Sequence, residues 1–241
     1  MSGFIDLHSH FVPAIDDGVR TVEESVSLLR ALKAAGFDDV VATPHMRPSM
    51  FDNDRAALVA AYDALLPSLE GLADLPRISL AAEHYFDDTV FQRIVAGEGL
   101  PYPGGHAVLV ELHADIFPAR LAHRFFDLRR KRLRPVLAHP ERYAPIWKDR
   151  TLLDPLIDGG TVLLLDVAAL DGKYGRRPEQ TALDLLEDGY YFAACSDAHR
   201  PDDVRSVERG IKRLIEIMGV DEAEFLLREG PRQILEGRVE A

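Results

Sequence analysis

The chain has 241 residues, 47% hydrophobic and 28% charged, enough for one globular core, and no stretch approaches the roughly 20 apolar residues that a bilayer crossing needs. Its 28 Lys and Arg against 40 Asp and Glu leave a net charge of -12, which repels polyanions; the basic run Arg129, Arg130, Lys131, Arg132 and Arg134 reads as the C-terminal end of a helix, not as a nucleic-acid surface. The lone Cys195 excludes an intramolecular disulfide framework and the opening MSGFIDLHSH lacks the basic-then-apolar pattern of a secretion signal, so one cytoplasmic domain over residues 1–241, without membrane insertion, is expected.

In chain order, residues 4–7 read as a strand. Thr21 then opens a T-V-E-E capping box with Glu24, and Val22, Val26, Leu29 and Leu32 mark a helical face ending at Gly36. A strand over 39–43, a helix over 54–66, a strand over 78–83 and a short helix over 89–96 follow. After them come a strand over 107–111 and a helix over 119–131. Strands over 135–138, 162–166 and 190–195 complete the set, with helices near 151–157 and 179–187 between them and near 204–218 and 221–227 at the end. These make about seven strand-helix units whose strands are apolar runs, the pattern of a parallel sheet buried on both faces. A single-domain α/β barrel is the first expectation and a doubly wound open sheet the second.

The C-terminal ends of these strands carry His8 and His10, then His45, Glu83, Glu111, His139, and Asp197 with His199. Each can ligate a metal, and parallel α/β folds bring strand C-termini to one mouth. H-x-H alone is weak, because alternate residues of a strand simply share a face. Asp17, in D-D-G after the first strand, serves a turn or a ligand set equally well.

In order, the motifs L-H-S-H, D-D-G, T-P-H, A-E-H, V-E-L, H-P-E-R-Y and S-D-A-H resemble the PHP (polymerase and histidinol phosphatase) superfamily from residue 6 to about residue 200. Within it, D-D-G, the M-F after T-P-H and H-P-E-R-Y are most similar to the manganese-dependent protein-tyrosine phosphatases of bacterial capsule and exopolysaccharide operons. The resemblance implies a distorted (β/α)7 barrel with three divalent ions, manganese first, with iron or zinc possible. It places His8, His10, Glu83 and Asp197 around one ion. Glu83 would bridge to a second held by Glu111 and His139, and Asp17, His45 and His199 would hold the third. Arg142 and Arg200 match phosphate-binding arginines. The stretch after His199 is short, however, so Arg205 or Arg47 could take the place of Arg200. The implied substrate is a phosphotyrosine-bearing bacterial tyrosine kinase that governs polysaccharide synthesis, with no nucleic-acid partner.

The residue types agree with that chemistry. Mixed imidazole and carboxylate donors suit Mn, Fe or Zn. Two ions about 3.5 to 4 Å apart, bridged by Glu83, would acidify a shared water into a hydroxide nucleophile. A third ion and a bidentate arginine would neutralise phosphate oxygens. A phenolate leaving group needs less protonation than an alkoxide, and His199 is the candidate acid.

Other residues are read as structural. Cys195 lacks the C-x5-R spacing and glycines of a cysteine phosphatase loop, since Arg200 comes one residue early. His84, His106, His113 and His123 are set aside as structural, and Phe125, Phe126, Tyr190, Tyr191 and Phe192 are assigned to the core. Asp166 ends a strand facing the same mouth, which leaves it a supporting or substrate role. Two competing functions remain. One is a small-molecule phosphatase such as histidinol-phosphate phosphatase, and the other a silent or nuclease-like domain, which the full donor set and the missing basic groove oppose.

Overall fold

A computed structural model describes residues 2–239. Strand β1 (Phe4–Ser9) leads through α1 (Val22–Ala34) to β2 (Phe37–Ala42), β3 (His45–Met46) and α2 (Arg55–Leu65). Next come β4 (Arg77–Leu80), β5 (Glu83–Tyr85), α3 (Asp88–Ala96), β6 (Ala107–Glu111), α4 (Leu121–Arg130) and β7 (Arg134–Ala138). Two short helices, α5 (Ala144–Lys148) and α6 (Asp154–Asp158), precede β8 (Val162–Asp166), α7 (Arg176–Glu187) and β9 (Tyr191–Cys195). The chain ends in α8 (Val204–Met218), α9 (Val220–Glu224) and α10 (Gly230–Glu236).

Every strand pair is parallel, in a three-stranded sheet ordered β1-β2-β4 and a six-stranded sheet ordered β3-β5-β6-β7-β8-β9. Among the described residues there are nine strands where seven were expected. The chain leaves strand geometry at Thr43–Pro44, which divides β2 from β3, and at Ala81–Ala82, which divides β4 from β5. Pro44 has no N–H to give a ladder. Backbone bonds still cross the seam: Ala81 N donates to Ala42 O at 2.8 Å and Glu83 N to Pro44 O at 3.2 Å. At the far edges, Asp197 N donates to His8 O at 3.0 Å and His10 N to Ala198 O at 2.9 Å, so β1 lies beside the segment after β9.

Two apolar layers flank the strands. One combines Ile5, Leu7, Val41, Ala81, Leu109, Val136, Ala138, Leu164, Ala193 and Cys195, and the other packs opposite-facing residues such as Val40, Val108, Val110, Leu137, Leu163 and Leu165 against the helices. Helix boundaries follow local chemistry. The Thr21 side chain accepts from Glu24 N at 3.2 Å, while Glu24 returns its bond to Arg20 N at 2.7 Å, one residue earlier than a reciprocal box would have it. Asp87 caps α3 and Gly97, at φ 83°, ends it in left-handed backbone. On α8, Val204, Val207, Ile211 and Leu214 recur at helical spacing and are buried, and Gly210 is required because a Cβ there would meet Val167 O at 2.0 Å.

Some expectations need amendment. The expected 221–227 helix is α9 followed by a π-helical turn over Phe225–Glu229, while β3, α5 and α10 were not foreseen. Phe126, assigned to the core, is 57% exposed, since it points away from the face of α4 that buries Leu121, Phe125 and Leu128. Among the described residues no helix is long and apolar enough to cross a membrane.

Candidate metal centre

The strand C-termini deliver the expected donors to one mouth. His8 Nε2 lies 3.1 Å from His10 Nε2, 3.2 Å from Asp197 Oδ1 and 3.3 Å from Glu83 Oε2. His10 Nε2 is 3.5 Å from Asp197 Oδ1 and 3.6 Å from Glu83 Oε2. His139 Nε2 approaches Glu83 Oε1 at 3.1 Å. His45 sits between Glu83, at 2.9 Å from Nδ1, and Asp17, at 3.4 Å from Nε2, with Glu111 3.8 Å from its Nδ1. His199 Nε2 is likewise 3.4 Å from Asp17. All nine residues fall into four overlapping groups, joined through His8, His10, His45 and Glu83. Glu111 groups with His45 and Glu83, and His139 with His8 and Glu83, so Glu83 is what links them.

These residues fit divalent cations. Ligands about 2.1 Å from one tetrahedral ion stand about 3.4 Å from each other, the spacing seen around His8 Nε2. Among the described residues Asp197 Oδ1 and Glu111 Oε2 are buried without a hydrogen-bond partner, a costly arrangement for carboxylates unless a cation completes them. Two rings are also oriented as metal-ligating histidines are. The far nitrogen of His10, Nδ1, donates to Asp16 Oδ2 at 2.9 Å, and that of His199, Nδ1, donates to the Asp197 carbonyl at 3.0 Å, leaving each Nε2 facing the mouth. His139 and Asp197 both hold left-handed backbone, φ 35° and 42°, at the corners where strand becomes loop.

Electrostatics follow from crowding. Burial opposes charge on His8, but the Glu83 and Asp197 carboxylates outweigh it and push the imidazole up to about 9; His199 also rises to about 9 against burial, through Asp197 and Asp17. Burial and then the Arg142 guanidinium hold the His139 imidazole down to about 4, which favours its neutral form at pH 7. Burial and the neighbouring Glu83 raise Glu111 to about 7.

The four arginines separate. Arg142 N–H groups donate to Asp197 Oδ2, and the guanidinium carbon lies 4.5 Å from the Tyr174 ring centroid. Arg200 stretches along the rim, its Nη2 3.5 Å from the Asp17 carbonyl. Arg47 stacks 4.1 Å over Tyr85, and after His45 and Arg142 it offsets a little of the rise that burial and Glu83 give the Glu111 carboxyl. Arg205 is an exposed residue of α8.

Residues set aside lie elsewhere or are committed to structure. His84 is buried, held between Leu109 O at 2.9 Å and Leu100 N at 3.0 Å, and burial depresses it to about 4. His113 and His123 are exposed, and His106 packs beneath Gly104 and Gly237. Burial drives the Cys195 thiol up, and its Sγ donates to Leu165 O at 3.3 Å, so no thiolate is available.

Several supporting residues escaped the sequence reading. Asp16, not Asp17, orients His10 and also accepts the backbone N–H of His45 at 3.0 Å. Gly18 lets this loop fold onto His10, since a Cβ would sit 2.2 Å from His10 O. Asp6 accepts from Ser196 N and Oγ, tying β1 to the Asp197 segment, and Asn53 Nδ2 donates to His45 O and Ile15 O. The first Asp of D-D-G stood inside a motif the sequence displayed and Asp6 stands two residues before His8, but nothing local separates a ligand from its support.

Fold and site together define a parallel α/β protein with a cluster of histidines and carboxylates, a candidate metal centre, at the mouth formed by its strands. The capsular polysaccharide synthesis CpsB/CapC family model matches residues 4–236, and the chain belongs to that family. Tyrosine-protein phosphatase YwqE of Bacillus subtilis (strain 168) is 29% identical over 233 residues, covering 93% of this chain and 91% of that protein. Tyrosine-protein phosphatase CpsB of Streptococcus pneumoniae is 23% identical over 237 residues, covering 96% and 98%. A crystal structure from work on YwqE and CpsB, described as unique metal-dependent tyrosine phosphatases, superposes with TM-score 0.89 at 27% identity, covering 98% of this chain and 96% of that one.

Proposed function

We propose that this protein is a metal-dependent phosphomonoesterase that removes phosphate from phosphotyrosine in proteins, its substrate being a bacterial tyrosine kinase that regulates capsule or exopolysaccharide synthesis. The observation that carries the reading is the convergence of nine imidazole and carboxylate donors, Glu83 among them, in overlapping groups beside Arg142, in a chain of the CpsB/CapC family. The two sheets act as one distorted seven-stave barrel forming a single domain, with β2 and β3, and likewise β4 and β5, counting as one broken stave each. It works in the cytoplasm, where its kinase substrate presents phosphotyrosine.

Three cations, manganese first, would be held by His8, His10, Glu83 and Asp197, by Glu83, Glu111 and His139, and by Asp17, His45 and His199. When bound, such ions supply positive charge to phosphate oxygens and acidify water. The chain's own groups do the rest. Arg142, with two planar N–H edges, and Arg200 at the rim donate to the non-bridging oxygens, and their charge offsets that of a dianion. Asp16 holds the His10 ring in the tautomer that leaves Nε2 free. Both nitrogens of His199 are engaged, Nδ1 with the Asp197 carbonyl and Nε2 with Asp17, so it serves the donor set; a phenolate with a free pKa of about 10 departs without an acid. Asp17 is 53% exposed at its side chain and His199 24%, which leaves the mouth open to a side chain carried on another protein.

The test is comparative turnover with manganese added, on a phosphotyrosine peptide, a phosphoserine peptide and histidinol phosphate. Preference for the phosphotyrosine peptide is expected. Preference for histidinol phosphate would overturn the substrate while leaving the metal centre standing.

A further inference from the structure

Arg142 stands in a frame that its role as a phosphate ligand does not by itself require. It follows the left-handed corner at His139, and its Nη1 donates to Asp197 Oδ2. The same nitrogen, Arg142 Nη1, lies 3.8 Å from Oδ2 of Asp166, the fully buried last residue of β8, whose carboxylate also takes the hydroxyl of Tyr174. Asp166 is itself fixed: its N–H donates to Glu141 Oε1 at 3.0 Å, and its Oδ1 accepts from Ala168 N at 2.9 Å. Beneath the guanidinium plane lies the ring of Tyr174, 4.5 Å from the guanidinium carbon. The Tyr174 loop is strapped down, because Lys173 Nζ pairs with Asp203 at 2.9 Å and Asp203 also accepts the backbone N–H groups of His199 and Arg200.

An arginine side chain loses about 2 kcal/mol of rotamer entropy when fixed, and in a mouth open to water nothing else would hold its plane. Two carboxylates on adjacent strand ends, Asp166 and Asp197, hold one edge, and an aromatic face holds the plane. The remaining N–H groups of the five then point in one direction. Without Asp166, Arg142 would answer to Asp197 alone and compete for a carboxylate of the donor set.

The geometry points to Asp166 and Tyr174 as positioning residues that aim Arg142 at the phosphate group. The inference rests on the phosphate-ester reading only in taking phosphate as the ligand, and neither residue touches substrate itself. Its test is a double-mutant cycle read by calorimetric binding of inorganic phosphate to the manganese-loaded protein, freed of excess metal, with metal content measured for each variant. Asp166→Asn and Tyr174→Leu should each weaken phosphate binding about tenfold at unchanged metal content, while Tyr174→Phe, which keeps the ring and loses only the hydroxyl beside Asp166, should fall between Tyr174→Leu and wild type. In an Arg142→Ala background the same substitutions should have no further effect. Additive losses in that background, loss of metal with the phosphate, or failure of the unaltered protein to bind phosphate would each overturn the inference. Phosphate binding that follows the cycle in a protein that spares phosphotyrosine peptides would leave the positioning role standing and sink the substrate assignment alone.

Discussion

Glu83 is the residue on which the site converges, contacting His8, His10, His45 and His139 within 3.6 Å. Glu83→Gln keeps the shape and removes the charge, so turnover should fall by roughly three orders of magnitude and bound metal should drop, as mass spectrometry of the metal content would show. Asp16→Ala acts one layer out. It frees the His10 ring and should weaken metal affinity about 10- to 100-fold, measurable by competition with a chelator, with helix content unchanged. The candidate donors other than Asp17 were legible because each stands at or just past the end of an apolar run and is of a metal-binding type. Asp16, Asp203 and Tyr174 were not, because their value lies in what they orient, and orientation is set by folded contacts, some near in sequence, as Asp16 with His10 and Asp203 with the His199 N–H, and some far, as Asp16 with the His45 N–H.

At the level of the element, the strand-helix alternation was readable because apolar runs and capping signals are local. Thr21→Ala removes the bond to Glu24 N and should cost about 1 kcal/mol in urea denaturation while leaving metal content intact. The breaks in the strands were not readable. Positions 78–83 form one apolar run, yet the chain leaves the ladder at Ala81–Ala82 and resumes at Glu83, which starts β5 and stands at the centre of the donors. Phe126 failed for a related reason. Phe125 and Phe126 look alike in sequence, and only the face that α4 turns to the core decides which is covered.

For the whole molecule, crowding of charge at one mouth links pH, metal and stability. His8 and His199 have folded values raised to about 9 from an ordinary 6.5, so in the metal-free protein their protonation stabilises the fold below pH 6.5, and this contribution is lost as pH rises through 9. Metal must displace those same protons. The rise in Tm on adding manganese should therefore be larger at pH 8.5 than at pH 6.5, as a thermal melt at the two values would reveal. An equal rise at both would mean that these imidazoles do not receive the metal. The most direct measurement is the metal stoichiometry of the reconstituted protein, by mass spectrometry after removal of loosely held ions. Three manganese ions per chain, falling when Glu83 is replaced by Gln, are predicted; a chain that retains none, or retains the same number without Glu83, would contradict the account.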